Sequence, residues 1–399
     1  MNYTFADRIA TLTPSAIREI LKYSSDPEVV PLAAGNPAPE AFPTEVVADI
    51  TARIFRERPI DALQYSITEG YPALRSRMKS YMADKHHAFD ADRDELIITS
   101  GAQQVMELVV KVLCNPGDVI LCESPSFIGS LNSFRSLGAK LCGIPMQDDG
   151  MDIGALEAAL KATPNARFIY TIPNFQNPTG ITMSMEKRRA VYALAKQYGV
   201  LVLEDNPYGD LRYSGEHIPP IKSLDEEGIV IYAGTFSKVL SPGIRVGYAI
   251  GPKPVIAKMT VAKQGEDVHT TIWSQMLCDE FMGTVDYEAH LKGLQDLYRE
   301  KAALMCRLLD EYLVPTGITY HPIEGGLFIW CDLPAGTDMP DFCTRAVKEH
   351  KVAVVPGSAF AANDEPICSF RVNFSTPTDE AMIRGVKRLG AFAAEYLKK

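Results

Sequence analysis

Lys238 lies in the run "GTFSKVLSPGIRVGY" (Gly234–Tyr248), between Ser237 and Val239, with Thr235 just upstream and Arg245 seven residues on. Apolar "GIVIYA" precedes it and "RVGYAIG" follows, so the run lies between two buried segments. A lysine held partly dry beside another cation has a lowered pKa. Its neutral amine can then attack a carbonyl or carry a proton. The same side chain can also snorkel to water or pair with a carboxylate.

Three other short runs offer chemistry of a related kind. "ELIITS" leads into Ser100-Gly101-Ala102-Gln103-Gln104, a small polar turn that opens a helix. The free N–H groups and positive end of such a turn suit a phosphate, although many strand–Gly–helix turns bind nothing. "RFIYTIP" leads into "NFQNPTG", Asn174 to Gly180, which by itself reads as a Pro-Gly turn with polar caps. "VLVLED" ends in Glu204-Asp205. An acid there either caps a loop or serves as anionic partner to a cationic ring nitrogen or a metal.

These runs need elements to carry them. From about residue 95, short apolar runs alternate with segments of helical period: "ELIITS" with "AQQVMELVVKVL", "DVILCES" with "SFIGSLNSFRSL", "RFIYTIP" with "SMEKRRAVYALAKQYG". The period predicts a helix over 185–198, with Ala190, Val191, Leu194, Ala195 and Tyr198 on one stripe. Continuous apolar strands between amphipathic helices imply a mostly parallel sheet covered on both faces, with ligands at the C-terminal strand ends. After residue 285 the style changes to a long helix, about Asp286–Leu313, followed by mixed strands and helices of a smaller α+β unit. The expected organisation is an arm over 1–35, a large domain over 36–285 and a small domain over 286–399.

Composition narrows the field. There are 40 Lys and Arg against 50 Asp and Glu, a net charge of −10, with both signs scattered along the chain. A nucleic-acid binder would gather its cations on one stripe. Small anionic substrates remain possible, since a site needs only two or three cations. Eight cysteines stand singly with no C-x-x-C pair, which suits reduced thiols in the cytoplasm and argues against zinc. "MNYTFADRIA" has neither a basic flank nor an apolar core, and no apolar run approaches the ~20 residues of a membrane span.

Taken together and in chain order, "NPTG…EDNPY…SKVLSPGIRVGY…RVNFS" resembles the class I/II pyridoxal-phosphate aminotransferases of the aspartate aminotransferase fold, over roughly residues 30–399. That resemblance implies a type I fold with a mostly parallel, seven-stranded-type sheet in the large domain. It implies pyridoxal 5′-phosphate as cofactor, bonded covalently through its aldehyde to Lys238. Asp205 would hold the proton on the pyridine nitrogen, while Tyr208 and Asn177 would donate to the ring hydroxyl oxygen. Phe127 would stack on the ring; it stands where aspartate aminotransferases have Trp, which argues against narrow acidic specificity. Gly101, Ala102, Gln103, Thr235, Ser237 and Arg245 would hold the phosphate. Tyr65 matches the tyrosine that reaches the partner subunit's phosphate, so the resemblance implies a homodimer with shared sites. Arg371 would grip the substrate carboxylate as a fork.

The opening "TPSAIREILKYSSDPEVVPLAAGNPAPEAFP" is similar to the 2-aminoadipate and aromatic aminotransferase subgroup. Arg18 matches the arginine there that meets a distal carboxylate or swings aside, and Gly35 would lie near the substrate. The bland alternative for Arg18 is an exposed ion pair. The implied reaction moves an amino group from an L-amino acid to a 2-oxo acid, with 2-oxoglutarate as the expected acceptor. A β-lyase or decarboxylase on the same fold, and more remotely a cofactor-sensing regulator domain, are the competing readings. The regulator would need a DNA-binding module ahead of this fold, and the fold is expected to begin within ~35 residues of Met1.

Overall fold

The computed structural model describes residues 3–10, 26–363 and 365–398. In chain order, β1 (Val30–Pro31) leads to α1 (Thr44–Glu57) and α2 (Pro59–Leu63), then β2 (Asp94–Thr99), α3 (Ala102–Leu113), β3 (Val119–Ser124) and α4 (Ile128–Ser136). β4 (Lys140–Gln147), β5 (Gly150–Met151), β6 (Ala166–Thr171), α5 (Met185–Tyr198), β7 (Leu201–Asp205), β8 (Val230–Thr235) and β9 (Gly247–Pro252) follow. The remainder comprises α6 (Lys253–Gln264), α7 (Ile272–Thr284), α8 (Tyr287–Tyr312), β10 (Thr319–Tyr320), β11 (Phe328–Asp332), α9 (Met339–Lys348), β12 (Val352–Ala353), β13 (Val355–Pro356), β14 (Ser369–Asn373) and α10 (Asp379–Tyr396).

The large sheet runs in the order β2-β9-β8-β7-β6-β3-β4-β5. β8, β7, β6, β3 and β4 are parallel neighbours, whereas β9 is antiparallel to both β2 and β8. Seven longer strands thus form the expected mostly parallel sheet, and the two-residue β5 adds an antiparallel edge. The topology has one direct consequence for the site. The C-terminal ends of β2, β3, β6, β7 and β8 share an edge, and because β9 runs backwards its N-terminal end joins them. Ser100, Asp205 and Thr235 are therefore brought to the same edge as Arg245.

A smaller antiparallel sheet, β10-β11-β14-β13, carries Arg371 on its central β14. β1 pairs in parallel with β12, which draws residues 30–31 to that part of the chain.

The predicted helix over 185–198 is α5, capped by Ser184 and ended by Gly199 at φ +66°. Its stripe holds a surprise. Arg188 is fully buried, donating to the carbonyls of Met183, Pro173, Ile218 and Pro219 and to Asn174 Oδ1. A buried guanidinium is tolerated where its donors are satisfied, and here it pins the segment that runs on to Asn177. A second buried charge, Lys222, bonds Asp94, Asp225 and the Val230 carbonyl, fixing the start of β8 against β2. Phe134, Phe168 and Tyr170 pack edge-on under the sheet.

Candidate active site

A cavity of about 310 Å³ opens at the shared strand edge. Gly35, Ala102, Gln103, Phe127, Asn177 and Asp205 line it, with Tyr208, Thr235, Ser237, Lys238, Arg245 and Arg371. Most of the residues picked from sequence are therefore gathered in one place.

The lysine and its cations come from one loop. Thr235 Oγ1 donates to Ser237 Oγ at 2.9 Å, and the Ser237 N–H donates to Thr235 Oγ1 at 3.1 Å. This tight hydroxyl-lined bend leaves Lys238 directed across the cavity, where Nζ donates to the Gly35 carbonyl at 2.9 Å. No carboxylate pairs with it among the described residues. Burial, reinforced by the charges of Arg371 and then Arg245, lowers its pKa to about 8. Near neutral pH a substantial minority of such amines are free to act as nucleophile or base.

Arg245 closes the same loop in the left-handed region, at φ +54°. Strain of this kind persists at functional sites where surrounding structure holds it. Its guanidinium donates to the Ser100 carbonyl at 3.1 Å and lies over Gly101. Gly101 has φ +81°, and a Cβ there would sit 2.1 Å from Arg245 Nη2, so only glycine allows the approach. Ala102 and Gln103 begin α3, where N–H groups have no intrahelical acceptor. Two free N–H groups, a helix N-terminus, two hydroxyls and a guanidinium converge on one corner, a set suited to a phosphate.

At the opposite side stands Asp205. Tyr170, fully buried on β6, donates to Asp205 Oδ2 at 2.8 Å, and its oxygen is 2.8 Å from Ser130 Oγ. An ionised carboxylate only accepts, so the Tyr170 proton points to Asp205 and Ser130 donates to the phenol oxygen. Asp205 Oδ1 is buried with no partner, and it faces the cavity. Burial pushes the Asp205 pKa up to about 7; the Tyr170 bond opposes this, and Glu123 adds to it. Glu123 is itself fully buried, held by Thr171, the Ile172 N–H and Gln176, and burial raises it to about 7. Gln176 in turn accepts from the Thr179 N–H and hydroxyl, which shapes the turn bearing Asn177.

Arg371 reaches in from β14. Nη1 donates to Asn177 Oδ1 at 2.7 Å and Nη2 to the Ala33 carbonyl at 3.0 Å, while buried Nε is unpartnered. The guanidinium lies 4.0 Å above the Phe328 ring and 5.0 Å from the Phe360 ring. Such stacking fixes the plane in which its N–H groups are offered. Asn177 Nδ2 also donates to the Tyr208 hydroxyl at 3.4 Å, linking the arginine to the tyrosine.

One expected residue falls elsewhere, and another is not among those described. Tyr65 does not line the cavity; it is 82% exposed and meets His269 edge-on at 5.8 Å. Arg18 lies outside the described residues. Others were not anticipated. Tyr170, Ser130 and Phe328 each touch the site or its partners, and their sequence contexts are those of ordinary strand and helix core. The one available signal for Tyr170 was its position three residues before the end of the run "RFIYTIP".

A sequence model described as "Aminotransferase class I and II" matches residues 27–389. The chain is 37% identical to the aromatic-amino-acid aminotransferase 1 of Thermococcus litoralis, covering 99% of this chain and 95% of that protein. It is 38% identical to the 2-aminoadipate transaminase of Thermus thermophilus, covering 97% and 95%. Among solved structures, kynurenine aminotransferase from Pyrococcus horikoshii, determined with PMP, superposes with a TM-score of 0.94 at 36% identity over 99% of this chain and 98% of that one.

Proposed function

The chain belongs to the class I and II aminotransferases and works with pyridoxal 5′-phosphate, and on that premise we propose that it is a broad-range transaminase. Its donors would be 2-aminoadipate, aromatic, branched-chain and glutamate-like L-amino acids, and its acceptor 2-oxoglutarate. The carrying observation is a single cavity that holds a low-pKa lysine, an unpartnered buried carboxylate oxygen and an aromatic-braced arginine.

The residues present fit the cofactor. Asp205 Oδ1 lacks a donor that a protonated ring nitrogen would supply. Gly101 lets the Arg245 guanidinium reach the phosphate corner, and Lys238 lines the same cavity as Asp205. Bound pyridoxal phosphate supplies an aldehyde for the substrate amine and a ring that takes up the electrons released at Cα. In this reading Lys238 would take up the Cα proton as general base and give it back, as general acid, at the carbon that had carried the aldehyde. Asp205, kept ionised with help from Tyr170, holds the ring proton. Tyr208 and Asn177 donate to the ring oxygen, and Phe127 covers the ring face. Arg371 binds the α-carboxylate and so sets the angle at which the Cα–H bond meets the base.

The relatives' names favour this donor range: aromatic amino acids, 2-aminoadipate and kynurenine appear among proteins 30–38% identical over nearly the full chain. Phe127, Ile172 and Phe328 add apolar walls to the cavity, which suits uncharged side chains. A homodimer belongs to the same reading. Ile60, Leu63 and Tyr65 are 70%, 72% and 82% exposed, a patch too apolar to be left to water. So does the division of the chain, since strands of the large sheet fall within 36–285 and those of the small antiparallel sheet within 286–399. Free thiols at all eight cysteines support a cytoplasmic setting.

A panel of amino donors against 2-oxoglutarate tests the proposal. Glutamate should form with 2-aminoadipate, phenylalanine, leucine and kynurenine. Pyruvate and ammonia released from cystathionine without glutamate formation would overturn it.

A further inference from the structure

Behind the phosphate corner lies a charged cluster built around a buried lysine and a half-buried aspartate. Lys263, near the end of α6, is fully buried. Its Nζ donates to Gln104 Oε1 at 2.7 Å, to Asp267 Oδ1 and Oδ2 at 2.7 and 2.8 Å, and to Thr270 Oγ1 at 3.1 Å. Asp267 Oδ2 accepts from Ser100 Oγ at 2.7 Å and from Gln104 Nε2 at 3.0 Å. Gln104 Oε1 also accepts the Ser100 N–H at 2.8 Å. Thr270 Oγ1 is 3.1 Å from Ser100 Oγ.

Every one of these bonds ends on Ser100 or Gln104, or on a group that holds them. Those two residues are the ends of the turn whose middle, Gly101 to Gln103, forms the phosphate corner. A buried ammonium with four polar contacts is costly to place and gains little net stability over an apolar substitute. What it fixes is geometry: both ends of a five-residue turn are tied to a single cation. Beside Asp267, Val268 sits at φ +64°, a conformation β-branched residues seldom adopt.

We propose that Lys263 and Asp267 are positioning residues that preset the Ser100–Gln104 turn for a phosphate, so that preference for a phosphorylated ligand depends on side chains that never touch the anion. This rests on the cofactor reading above. The pre-aimed N–H groups of Ala102 and Gln103 need no reorganisation when the anion arrives, which is where preorganisation adds affinity. The ring end of the cavity, with Asp205 and Phe127, has no bond to this cluster among the described residues.

The experiment compares two ligands that differ only in the phosphate. Dissociation constants of the full chain for pyridoxal 5′-phosphate and for pyridoxal are measured in wild type, Lys263→Met and Ser100→Ala. Lys263→Met should weaken the phosphorylated ligand about tenfold or more while pyridoxal changes less than about twofold. Ser100→Ala, which spares the Lys263–Asp267 pair, should shift the ratio in the same direction by less, and it carries the test if Lys263→Met does not fold. Equal weakening of both ligands, or an unchanged ratio in the folded variants, would overturn the inference. A wild type with no preference between the two ligands would overturn the phosphate-site reading itself.

Discussion

Tyr170→Phe isolates one hydrogen bond at the bottom of the site. Its hydroxyl is the one side-chain donor that stabilises the Asp205 anion, whose pKa burial has already raised to about 7. A hydrogen bond to a charged group is worth roughly 1.5–3 kcal/mol, and one pKa unit is about 1.36 kcal/mol. Removing it should raise the Asp205 pKa by about one to two units, so at pH 7 the ionised fraction falls from about half to roughly 1–10%. The sign follows from linkage. A carboxyl whose folded pKa lies above its unfolded value favours the fold below the unfolded pKa, and that contribution is lost as pH rises through the folded one. Ligand-free wild type therefore loses the Asp205 contribution between about pH 4 and about 7, whereas Tyr170→Phe goes on losing it to about pH 8–9. The stability difference between the two proteins should widen by roughly 1.5–3 kcal/mol across pH 6–9. Urea midpoints of the ligand-free full chain, taken at half-unit pH steps, give that difference directly. A difference that stays constant with pH would mean that Tyr170 merely fills space and that Asp205 keeps its charge by other means.

Three further expectations are simpler. Covalent capture of pyridoxal by Lys238, trapped with borohydride and counted by mass spectrometry, should rise with pH through about 8 and level off above it; Arg371→Gln should move that midpoint upward, because the Arg371 charge helps to hold the amine's pKa down. Arg371→Lys should raise KM for donor and acceptor alike by roughly ten- to a hundredfold, with kcat less affected, since a point charge replaces a planar fork. Leu63→Arg, on a residue 72% exposed, should leave the chain folded but shift its mass by light scattering from dimer to monomer; an unchanged mass would remove this patch from the interface.

How much of this was legible beforehand depended on whether a residue's role is local. Lys238, Asp205 and Arg245 could be read because strand ends are where an open α/β sheet presents groups, and each closes or borders an apolar run. Asn177 and Arg371 needed the whole ordered pattern, since a Pro-Gly turn or a strand arginine means little alone. Tyr170 was invisible because a tyrosine inside a strand is usually core, and only the fold shows what its hydroxyl meets. Lys263 and Asp267 stand four apart on and after a helix, the spacing of an ordinary exposed ion pair; the burial of Lys263 comes from the packing of α6 against α3. Arg188 was equally hidden: nothing in the helical period marks an arginine that is fully buried against the inner side of α5. Tyr65 has no counterpart in this chain's cavity to reveal it. In the homodimer proposed above, its role would lie at the second copy's site.

The bond from Lys238 Nζ to the Gly35 carbonyl gives the molecule a reporter of its own occupancy. An amine committed to another partner cannot keep donating to that carbonyl, so each turnover must release and restore a strut to the segment leading into the site. Residues 33–36 are also held by Arg371, through the Ala33 carbonyl, and by Ser375 and Thr376, through the Asn36 carbonyl. Loss of one strut among several loosens such a segment without freeing it. Amide exchange at residues 33–37, followed by mass with and without bound ligand, would therefore track the chemical state of a lysine some two hundred residues away in sequence.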